Sequence, residues 1–521
     1  MLGSILSFST QAQFILTAQN WNVPAVQTYA QDLDMVNNTN YSLVDINGDG
    51  FVDMVDPQDN ASGVVWLNGN TPYWKVYLGN GSSFSTTAQN WNIPVLATYA
   101  ADLDQVNGSN YTLVDVNGDN KPDLVDAQDN ASGAVWLTGN TPYWKVYLNT
   151  GTSFNLTAQN WNIPILENYA QDLDVTSNGA YSLMDINGDR LPDLVDAQDN
   201  ASGVVWLNGN TPYWKVYLNT GTSFNLTAQN WTIPIVENYA ADLDQVGNGY
   251  FSLVDVNGDA KPDMVDARDN ASGVVWLNGN SPYWKVYLNN GSGFGAAQNW
   301  NIPALQMYAQ DLDMVNNANY GLIDINGDAI PDLVDAQDNS SGVVWVNGNS
   351  PYWKVYKGTG SSFNLTAENW PIPAVQTYAA DLDMLGNGNY ALVDMNNDGK
   401  PDMVDAQDNA SGVVWVNGNI PYWKVYLNSS MDPYLSIDEQ EASIQLNVYP
   451  NPTTGTITIN LSDLESESHI TIANSAGIVI HDELVSNKVN FNFDLTDYTS
   501  GLYFISVSNN NQAYNAKVIK Q

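Results

Sequence analysis

The chain has no cysteine, two histidines and 15 lysines and arginines among its 521 residues. Without cysteine it has neither a disulfide framework nor thiol chemistry. Both histidines, His469 and His481, lie near the C-terminus, which excludes histidine-dependent nucleophile systems from the rest of the chain. No run of 18 apolar residues occurs, so the sequence predicts no membrane-spanning helix.

Basic residues are scarce and acidic residues abundant: 56 Asp and Glu give a formal net charge of −41. Most of these acids recur at fixed positions of a sequence repeat, so they are placed on a scaffold rather than in a disordered tail. A surface of this charge repels nucleic-acid backbones and anionic lipids. It favours divalent cations as partners.

The repeat is organised around a nine-residue acidic motif, Asp45–Asp53, which occurs six times. We call the copies Asp loops 1 to 6 and their positions places 1 to 9; loops 2 to 6 span 115–123, 185–193, 255–263, 324–332 and 394–402. The repeating unit is rich in Val, Tyr, Trp, Asn, Asp and Gly and has almost no amphipathic helical pattern. This composition predicts short strands joined by tight turns.

A second phrase, FILTAQNW at Phe14–Trp21, recurs after each of the first five Asp loops, but the last unit ends near Asn428 without it. The N-terminal segment can therefore supply the strand that the last unit lacks. Closing a ring in this way removes exposed sheet edges. The sequence predicts an all-β chain whose residues 14–430 form a six-bladed β-propeller closed by the N-terminal strand. We expect four strands per blade, and leave open whether the Gly63 segment forms a fifth strand or a projecting hairpin.

The Asp loops predict calcium sites, up to six with one per blade, because hard cations take six to eight oxygen ligands. Side chains at places 1, 3 and 5, the carbonyl at place 7 and the acid at place 9 can surround one ion. Three carboxylates this close would repel one another without a metal. The predicted ligands are Asp45, Asn47, Asp49, Phe51, Asp53, Asp115, Asn117, Asp119, Lys121, Asp123, Asp185, Asn187, Asp189, Leu191, Asp193, Asp255, Asn257, Asp259, Lys261, Asp263, Asp324, Asn326, Asp328, Ile330, Asp332, Asp394, Asn396, Asp398, Lys400 and Asp402.

The alternative interpretation is that the loops are only Asx-rich turns, which fold without a metal. Place 6 of such a turn favours glycine, but only Gly50 and Gly399 supply it. The other copies carry Asn120, Arg190, Ala260 and Ala329. On this ground we expect loops 3 to 5 to be weaker calcium sites.

All 18 tryptophans fall in the repeats, three per unit. We expect Trp74 in the core and leave Trp21 and Trp66 open between packing and ligand stacking. Trp beside Asn and Asp matches the faces and hydroxyl groups of sugars. The predicted ligand-binding residues are Trp21, Trp66, Asp59, Asn60, Trp91, Trp136, Asp129 and Asn130.

The composition changes near Ser436, and a separate segment of alternating strands follows. We place a linker at 431–441 and a small Ig-like β-sandwich at 442–521. The motifs LNVYPNPTTG, GLYFI and the final Lys-Val-Ile-Lys resemble the type A sorting domain of the type IX secretion system of Bacteroidota. That resemblance implies a Sec signal, and residues 1–13 are interpreted as the remnant of one or as an N-terminal arm. We also expect that the natural start lies upstream of Met1.

The Asp loops resemble the FG-GAP/VCBS repeats of integrin-like β-propellers, and the phrase YWKVYLNTGTSF at Tyr143–Phe154 is similar to repeats of toxin-complex and Rhs-associated propellers. The resemblance covers residues 14–428. It implies a propeller fold with Ca2+ in its Asp-rich loops, and it implies nothing about the ligand.

Together these observations predict a secreted or surface-exposed, calcium-binding adhesion module. We expect lectin-like binding of a glycan or cell-surface ligand, with six weak sites acting together. Other expected properties are a monomeric propeller, the type IX secretion machinery as a partner, and neither nucleic acid nor a membrane span. The alternative is a structural scaffold or protein-interaction propeller. A polysaccharide-active enzyme is the less favoured hypothesis, because every acid pair recurs six times, and we expect the chain not to be an enzyme.

Overall fold

The computed structural model describes the strands and tight turns of the chain and divides it into two compact units, Met1–Met431 and Asp432–Gln521. The described residues are 12–24, 42–57, 66–95, 111–127, 136–165, 181–197, 206–235, 251–267, 276–304, 320–336, 345–347, 350–374, 390–406, 415–417, 420–430, 448–461, 468–474, 479–485, 490–496, 498–499, 501–508 and 513–521. Every regular element within these ranges is a β-strand. None of them contains a helix long and apolar enough to cross a membrane.

The first unit consists mainly of six antiparallel sheets of five strands each, one per repeat. Two strands precede the first repeat, β1 (Ala12–Phe14) and β2 (Gln19–Asn22). Sheets 1 to 3 contain β3 (Ser42–Val44), β4 (Asp53–Asp56), β5 (Trp66–Asn68), β6 (Thr71–Tyr77), β7 (Gln89–Asn92), β8 (Tyr111–Val114), β9 (Asp123–Asp126), β10 (Trp136–Thr138), β11 (Thr141–Tyr147), β12 (Gln159–Asn162), β13 (Tyr181–Met184), β14 (Asp193–Asp196), β15 (Trp206–Asn208), β16 (Thr211–Tyr217) and β17 (Gln229–Thr232).

Sheets 4 to 6 repeat the pattern, and the sixth takes its fifth strand from the N-terminus. Their strands are β18 (Phe251–Val254), β19 (Asp263–Asp266), β20 (Trp276–Asn278), β21 (Ser281–Tyr287), β22 (Gln298–Asn301), β23 (Tyr320–Ile323), β24 (Asp332–Asp335), β25 (Trp345–Asn347), β26 (Ser350–Tyr356), β27 (Glu368–Pro371), β28 (Tyr390–Val393), β29 (Asp402–Asp405), β30 (Trp415–Asn417) and β31 (Ile420–Tyr426). A short strand, β32 (Asn428–Ser430), ends the unit.

Each sheet is four strands wide, although it contains five strands. In sheet 1 the long strand β6 pairs with β7 along one edge and with β4 and then β5 along the other. Strand β5 forms a tight hairpin with β6, and it continues the line of β4. The sequence left open whether the Gly63 segment forms a fifth strand or a projecting hairpin. From Trp66 onward the chain forms the fifth strand, β5, while Gly63 itself lies outside the described residues.

The N-terminal strands complete the last repeat. Strand β2 pairs with β31 as the edge strand of sheet 6, with Trp21 opposite Trp423. Strand β1 pairs with β32. No copy of the FILTAQNW phrase follows the sixth Asp loop, and this predicts that the N-terminal copy pairs with the last repeat. That pairing is present.

Six hydrophobic clusters lie between the sheets, and each joins one sheet to the next. Trp74 of sheet 1 is fully buried and meets Phe154 of the next repeat edge-on, with ring centroids 5.5 Å apart. One cluster joins sheet 5 to sheet 6, and another joins sheet 6 to sheet 1, where Phe84 contacts Trp423 at 5.6 Å. The packing order is thus cyclic. The prediction that Trp74 belongs to the core is confirmed.

The second unit contains two antiparallel sheets that share one hydrophobic core, the arrangement of a β-sandwich. Its strands are β33 (Val448–Tyr449), β34 (Thr456–Asn460), β35 (Ser468–Asn474), β36 (Val479–Val485), β37 (Asn490–Asp494), β38 (Gly501–Ser508) and β39 (Ala513–Lys520). The Asn451 amide of the YPNP motif donates to the Lys517 carbonyl at 2.7 Å and accepts from the Ile519 N–H at 3.0 Å. These two bonds tie the start of the unit to its last strand.

Candidate functional site

The Asp loops connect the first two strands of each sheet and are folded by their own side-chain oxygens. In loop 1 the Asp45 carboxylate accepts the N–H groups of Gly48, Asp49 and Gly50 at 2.8, 3.1 and 2.8 Å. Asn47 Oδ1 accepts the Asp49 N–H at 2.7 Å, and Asp49 Oδ1 accepts that of Phe51 at 2.9 Å. These are the hydrogen bonds of an Asx-rich turn, and they hold places 1, 3 and 5 around one stretch of backbone.

The acid at place 9 is buried beneath each loop. Asp53 is 0% exposed, and its carboxylate accepts the Gly79 N–H at 2.8 Å and the Ile46 N–H at 3.3 Å. Burial, followed by the charges of Asp49 and Asp45, raises the pKa of Asp53 to about 7. Burial likewise raises the pKa of the five equivalent aspartates, to about 6 or 7. Each loop therefore holds a carboxylate whose ionised form is destabilised by burial unless a cation lies nearby.

Two of these buried carboxylates have an oxygen that no donor among the described residues meets with hydrogen-bond geometry, although the place-2 N–H groups of Val116 and Ile186 still lower their pKa values. The two oxygens are Asp123 Oδ2 in loop 2 and Asp193 Oδ2 in loop 3. In loop 1 the corresponding oxygen of Asp53 faces the place-2 N–H, so this atom points into the loop. An orphaned buried oxygen costs free energy unless another group satisfies it.

The residues at the loops fit a hard cation by their chemistry. Among the described residues, no three His, Cys, Asp or Glu side chains converge closely enough to form a ready-made metal cluster. The donors are nevertheless all oxygens, one of them buried and in two loops unpartnered, which is the donor type that Ca2+ selects. The thirty predicted ligands fall five per loop, with the place-9 acid as the first residue of the following strand, and their role as ligands stays a prediction.

Place 6 adopts a left-handed backbone conformation in all six loops. The φ angle is 91° at Gly50 and 81° at Gly399, and it lies between 64° and 71° at Asn120, Arg190, Ala260 and Ala329. The turn thus imposes the conformation that the sequence predicts for this place, even where the residue has a Cβ. A residue with a Cβ is strained there by roughly 1–2 kcal/mol relative to glycine.

Replacing Ala329 by glycine should stabilise the first unit by about 0.5–1 kcal/mol, because relief of this strain outweighs the added entropy of the unfolded chain. Urea unfolding would measure the change. Ala296→Gly is the matched control: Ala296 is exposed and has no positive φ, so its replacement should destabilise slightly. Equal effects of the two substitutions would contradict the prediction.

Neighbouring Asp loops touch one another in cyclic order. A Cβ added at Gly48 of loop 1 would lie 2.8 Å from Lys121 Cγ of loop 2, and one at Gly118 would lie 2.8 Å from Leu191 Cδ2 of loop 3. The same contact of place 4 with the next loop's place 7 recurs up to loop 6. Between loops 6 and 1 a different pair meets, Asn397 and Gly50.

A second constellation lies on one face of each sheet, and we call it the platform. In sheet 1 it comprises Trp66, Tyr73 and Asn92 in one cross-strand row and Lys75 and Asn90 in the adjacent row. Residues two apart on a strand share a face, so all five side chains are on the same side. Asn90 and Asn92 are exposed, and the other three are half-buried. The equivalents are Trp136, Tyr143, Lys145, Asn160 and Asn162; Trp206, Tyr213, Lys215, Asn230 and Thr232; Trp276, Tyr283, Lys285, Asn299 and Asn301; Trp345, Tyr352, Lys354, Asn369 and Pro371; and Trp415, Tyr422, Lys424, Asn20 and Asn22.

The lysine of each platform lies over the tryptophan ring. Lys75 Nζ is 3.2 Å from the ring centroid of Trp66, and the other five distances are between 3.1 and 3.3 Å. Opposite Lys75 on the neighbouring strand is Asp56, which is 2% exposed. Burial and the charge of Asp56 raise the pKa of Tyr77. The platform therefore combines a cation–π pair with a buried carboxylate.

The structure separates the predicted ligand-binding residues into three groups. Trp21 and Trp91 are 1% and 0% exposed, so their rings are core elements and a ligand has no access to them. Trp66 and Trp136 remain half-buried at the platforms, each with a lysine on its ring. Asp59, Asn60, Asp129 and Asn130 lie outside the described residues.

Sequence reasoning missed the tyrosine and lysine of each platform and its asparagines, of which there are two in four sheets and one in sheets 3 and 5. The signal was present as strict alternation, Tyr-x-Lys in YWKVY and Asn-x-Asn in QNWN, which puts each pair on one face of its strand. What the sequence did not contain was the register that brings the two strands together.

Comparison with known proteins identifies the second unit. Residues 447–521 match the family model of the secretion system C-terminal sorting domain. The protein is exported by type IX secretion. This sorting domain directs it to the cell surface or the extracellular space of a member of the Bacteroidota, and it interacts with the type IX secretion machinery. The predicted localisation is confirmed.

A curated relative corrects one expectation. Over 87 residues the chain is 36% identical to ulvan lyase NLR42 of Nonlabens ulvanivorans, and the match covers 16% of either protein. The chain therefore spans about one sixth of the length of the curated relative it matches. The expectation that the chain is not an enzyme is contradicted by this relationship to a lyase. The absence of histidine from the repeats excludes only histidine-dependent chemistry.

Solved structures give distant likenesses. The Tc holotoxin pore of Photorhabdus luminescens aligns with 98% of this chain and 20% of its own, at 14% identity and a TM-score of 0.46. The BSP domain of a biofilm-associated protein aligns with 98% of this chain and 96% of its own, at 9% identity and a TM-score of 0.12.

Proposed function

We propose that residues 14–430 form a closed six-bladed β-propeller of the FG-GAP/VCBS kind. Support comes from the cyclic order of the inter-sheet clusters, in which sheet 6 packs on sheet 1. Further support comes from the pairing of β2 with β31, by which the N-terminal strand completes the last sheet and closes the ring. A closed ring leaves no inner sheet edge for pairing with other chains.

We further propose that the Asp loops bind Ca2+ through the residues at places 1, 3, 5, 7 and 9. The buried place-9 carboxylate supports this assignment, since its raised pKa reflects a charge that lacks a partner. A bound divalent cation supplies that charge and joins the two strands on either side of the loop. In this role the metal stabilises the scaffold that carries the platforms.

The function that the site supports best is multivalent binding of a glycan by this secreted propeller. The observation that carries it is the six-fold platform, whose aromatic row ends in an exposed asparagine in four sheets, in Thr232 in sheet 3 and in Pro371 in sheet 5. Aromatic faces pack on sugar rings, and amides pair with sugar hydroxyls. Lys75 and its equivalents add a positive group on a protein that is otherwise strongly acidic. Six equal platforms on a rigid ring gain avidity from a repetitive polymer.

A glycan array with the full chain, run in calcium and again in EDTA, tests this proposal. We expect binding to a defined sugar in calcium and loss of binding in EDTA. Replacing the platform tyrosines of three sheets (Tyr73→Ala, Tyr213→Ala and Tyr352→Ala) should reduce apparent affinity by far more than half, because avidity depends on the number of engaged sites. Leu67→Ala, Leu207→Ala and Val346→Ala form the control, since these residues lie on the opposite face and each is 52% exposed.

Absence of glycan binding, while calcium still raises the unfolding temperature, would overturn the glycan assignment and favour a protein-interaction propeller. The partial match to an ulvan lyase favours one further candidate, an enzyme acting on a polysaccharide. Incubation with ulvan would test it, because lyase cleavage creates a carbon–carbon double bond that absorbs ultraviolet light. No increase in absorbance would count against this candidate.

A further inference from the structure

We propose that the six Asp loops fall into two calcium-affinity classes that alternate around the ring, with loops 1, 3 and 5 tight and loops 2, 4 and 6 weaker. This inference rests on the proposed binding of calcium by these loops. It assigns control over calcium affinity to the side chain at place 7, whereas the proposed ligand at this place is the backbone carbonyl.

Place 7 alternates between a lysine and an apolar residue in strict order. Loops 2, 4 and 6 carry Lys121, Lys261 and Lys400, whereas loops 1, 3 and 5 carry Phe51, Leu191 and Ile330. The alternation is a property of the side chain only, because every residue at this place offers the same carbonyl.

Each place-7 lysine forms an ion pair with the place-5 aspartate of its own loop. Lys121 Nζ lies 3.3 Å from Asp119 Oδ2, and Lys261 Nζ lies 3.3 Å from the equivalent oxygen of Asp259. In loop 6 the distance from Lys400 Nζ to the Asp398 carboxylate is 3.7 Å. An ammonium group at this oxygen competes with a metal ion for the same lone pairs and repels it.

The place-3 amide contacts the same oxygen in two of the loops without lysine and also in loop 6, where Asn396 Nδ2 lies 3.4 Å from Asp398 Oδ2. The Asn47 Nδ2 donates to Asp49 Oδ2 at 2.9 Å, and the Asn187 Nδ2 donates to Asp189 Oδ2 at 3.0 Å. A primary amide carries an oxygen as well as a nitrogen, so a half-turn of its last torsion converts it from competitor to ligand. A lysine has no acceptor to offer.

Solvent does not fully screen the lysine charges. The side chains of Lys121, Lys261 and Lys400 are 27%, 26% and 13% exposed, because their stems pack against the place-4 glycine of the preceding loop. Arg190, at place 6 of loop 3, is exposed and forms no ion pair among the described residues. Loops 3 and 5 are therefore both placed in the tight class, in contrast to the expectation from their place-6 residues, Arg190 and Ala329.

The buried place-9 acid does not separate the two classes. Its unpartnered oxygen occurs in loop 2, at Asp123, and in loop 3, at Asp193, which belong to opposite classes. In loop 5 the equivalent oxygen, Asp332 Oδ2, accepts from Asn326 Nδ2 at 3.1 Å, so the state of this acceptor also differs within the tight class. The difference between the two classes arises at places 5 and 7.

Titration of the full chain with calcium tests the inference, with binding measured by calorimetry and by native mass spectrometry. We expect three ions to bind first and three more with about tenfold weaker affinity. Lys121→Leu, which copies Leu191 of loop 3, should convert the pattern to four tight and two weak sites. The reverse substitution, Leu191→Lys, should give two tight and four weak sites.

Lys517→Leu removes one positive charge from the second unit and is the control for net charge. It should leave the three-and-three pattern unchanged. Six equivalent sites, unaffected by Lys121→Leu, would overturn the two-class inference and leave the calcium proposal standing. No binding of Ca2+ by a chain that unfolds cooperatively would overturn both.

Discussion

In the absence of calcium, this protein should lose stability as the pH rises from about 4 to about 7. In the metal-free fold, burial raises the pKa of Asp53 and of four equivalents to about 7 and that of Asp263 to about 6. The same groups have a pKa near about 3.9 in an unfolded chain. Folding therefore favours their protonated forms, and this contribution is complete below about pH 4 and lost as the pH passes the folded-state pKa.

Calcium should abolish this dependence at neutral pH, because the ion compensates the charge that burial penalises. Melting curves at pH 4.5, 6 and 7.5, in EDTA and in calcium, would measure it. In EDTA we expect the unfolding temperature to fall by on the order of 10 °C across this range. In calcium the fall should be largely absent.

Asp53→Asn supplies the matched control for the pH effect. The amide keeps an acceptor for the Gly79 N–H but cannot ionise, so the variant should show a shallower pH dependence in EDTA. It should also bind one calcium ion fewer. A metal-free unfolding temperature that stays level or rises between pH 4.5 and 7.5 would contradict the prediction.

Removing the N-terminal strand should have the second large effect. Trp21 is 1% exposed, faces Trp423 across the β2–β31 pair, and belongs to the cluster between sheets 6 and 1. Trp21→Ala should lower the free energy of unfolding by about 3–5 kcal/mol, the usual loss for a large buried aromatic. Deletion of residues 1–24 should lower it further, because Phe14 and its contact with Trp353 are lost as well.

Urea unfolding and size-exclusion chromatography would measure these changes. The deletion also uncovers the edge of β31, so we expect oligomers or aggregates in addition to lower stability. Asn22→Ala is the control on the same strand: this residue is exposed, and its loss should change the free energy of unfolding by no more than about 0.5 kcal/mol. Unaltered stability of the 1–24 deletion would show that the first unit does not depend on this strand.

The features that could be predicted from sequence are those set by local pattern and by repetition. The left-handed place 6 follows from the loop alone, and it is present even at Ala260 and Ala329. The N-terminal strand in sheet 6 follows from counting six phrases against six loops. The export signal follows from motifs at the C-terminus.

What could not be predicted depends on contacts between distant strands. Trp21 and Trp66 both border polar residues in sequence, yet one is in the core and the other lies under a lysine. The register of β2 against β31 decides the outcome for Trp21, and that of β5 against β6 decides it for Trp66. The register of β6 against β7 brings Tyr73 beside Asn92. Alternation predicts which residues share a face, but it does not identify the strand across from them.

The contact between Asn397 and Gly50 matches the last repeat of the array to the first. Asn397 occupies place 4 of the last loop with φ 59°, where loops 1 to 5 have glycine, and a Cβ at Gly50 would collide with its amide. A unit copied from the middle of the array brings Asn, Arg or Ala at place 6, so it could not follow the sixth repeat without displacing that amide. That amide is the end of a flexible side chain, so it could turn aside for such a unit, but its contact with the first loop would then be lost. The first and last repeats are therefore matched to each other in a way that the copies between them are not.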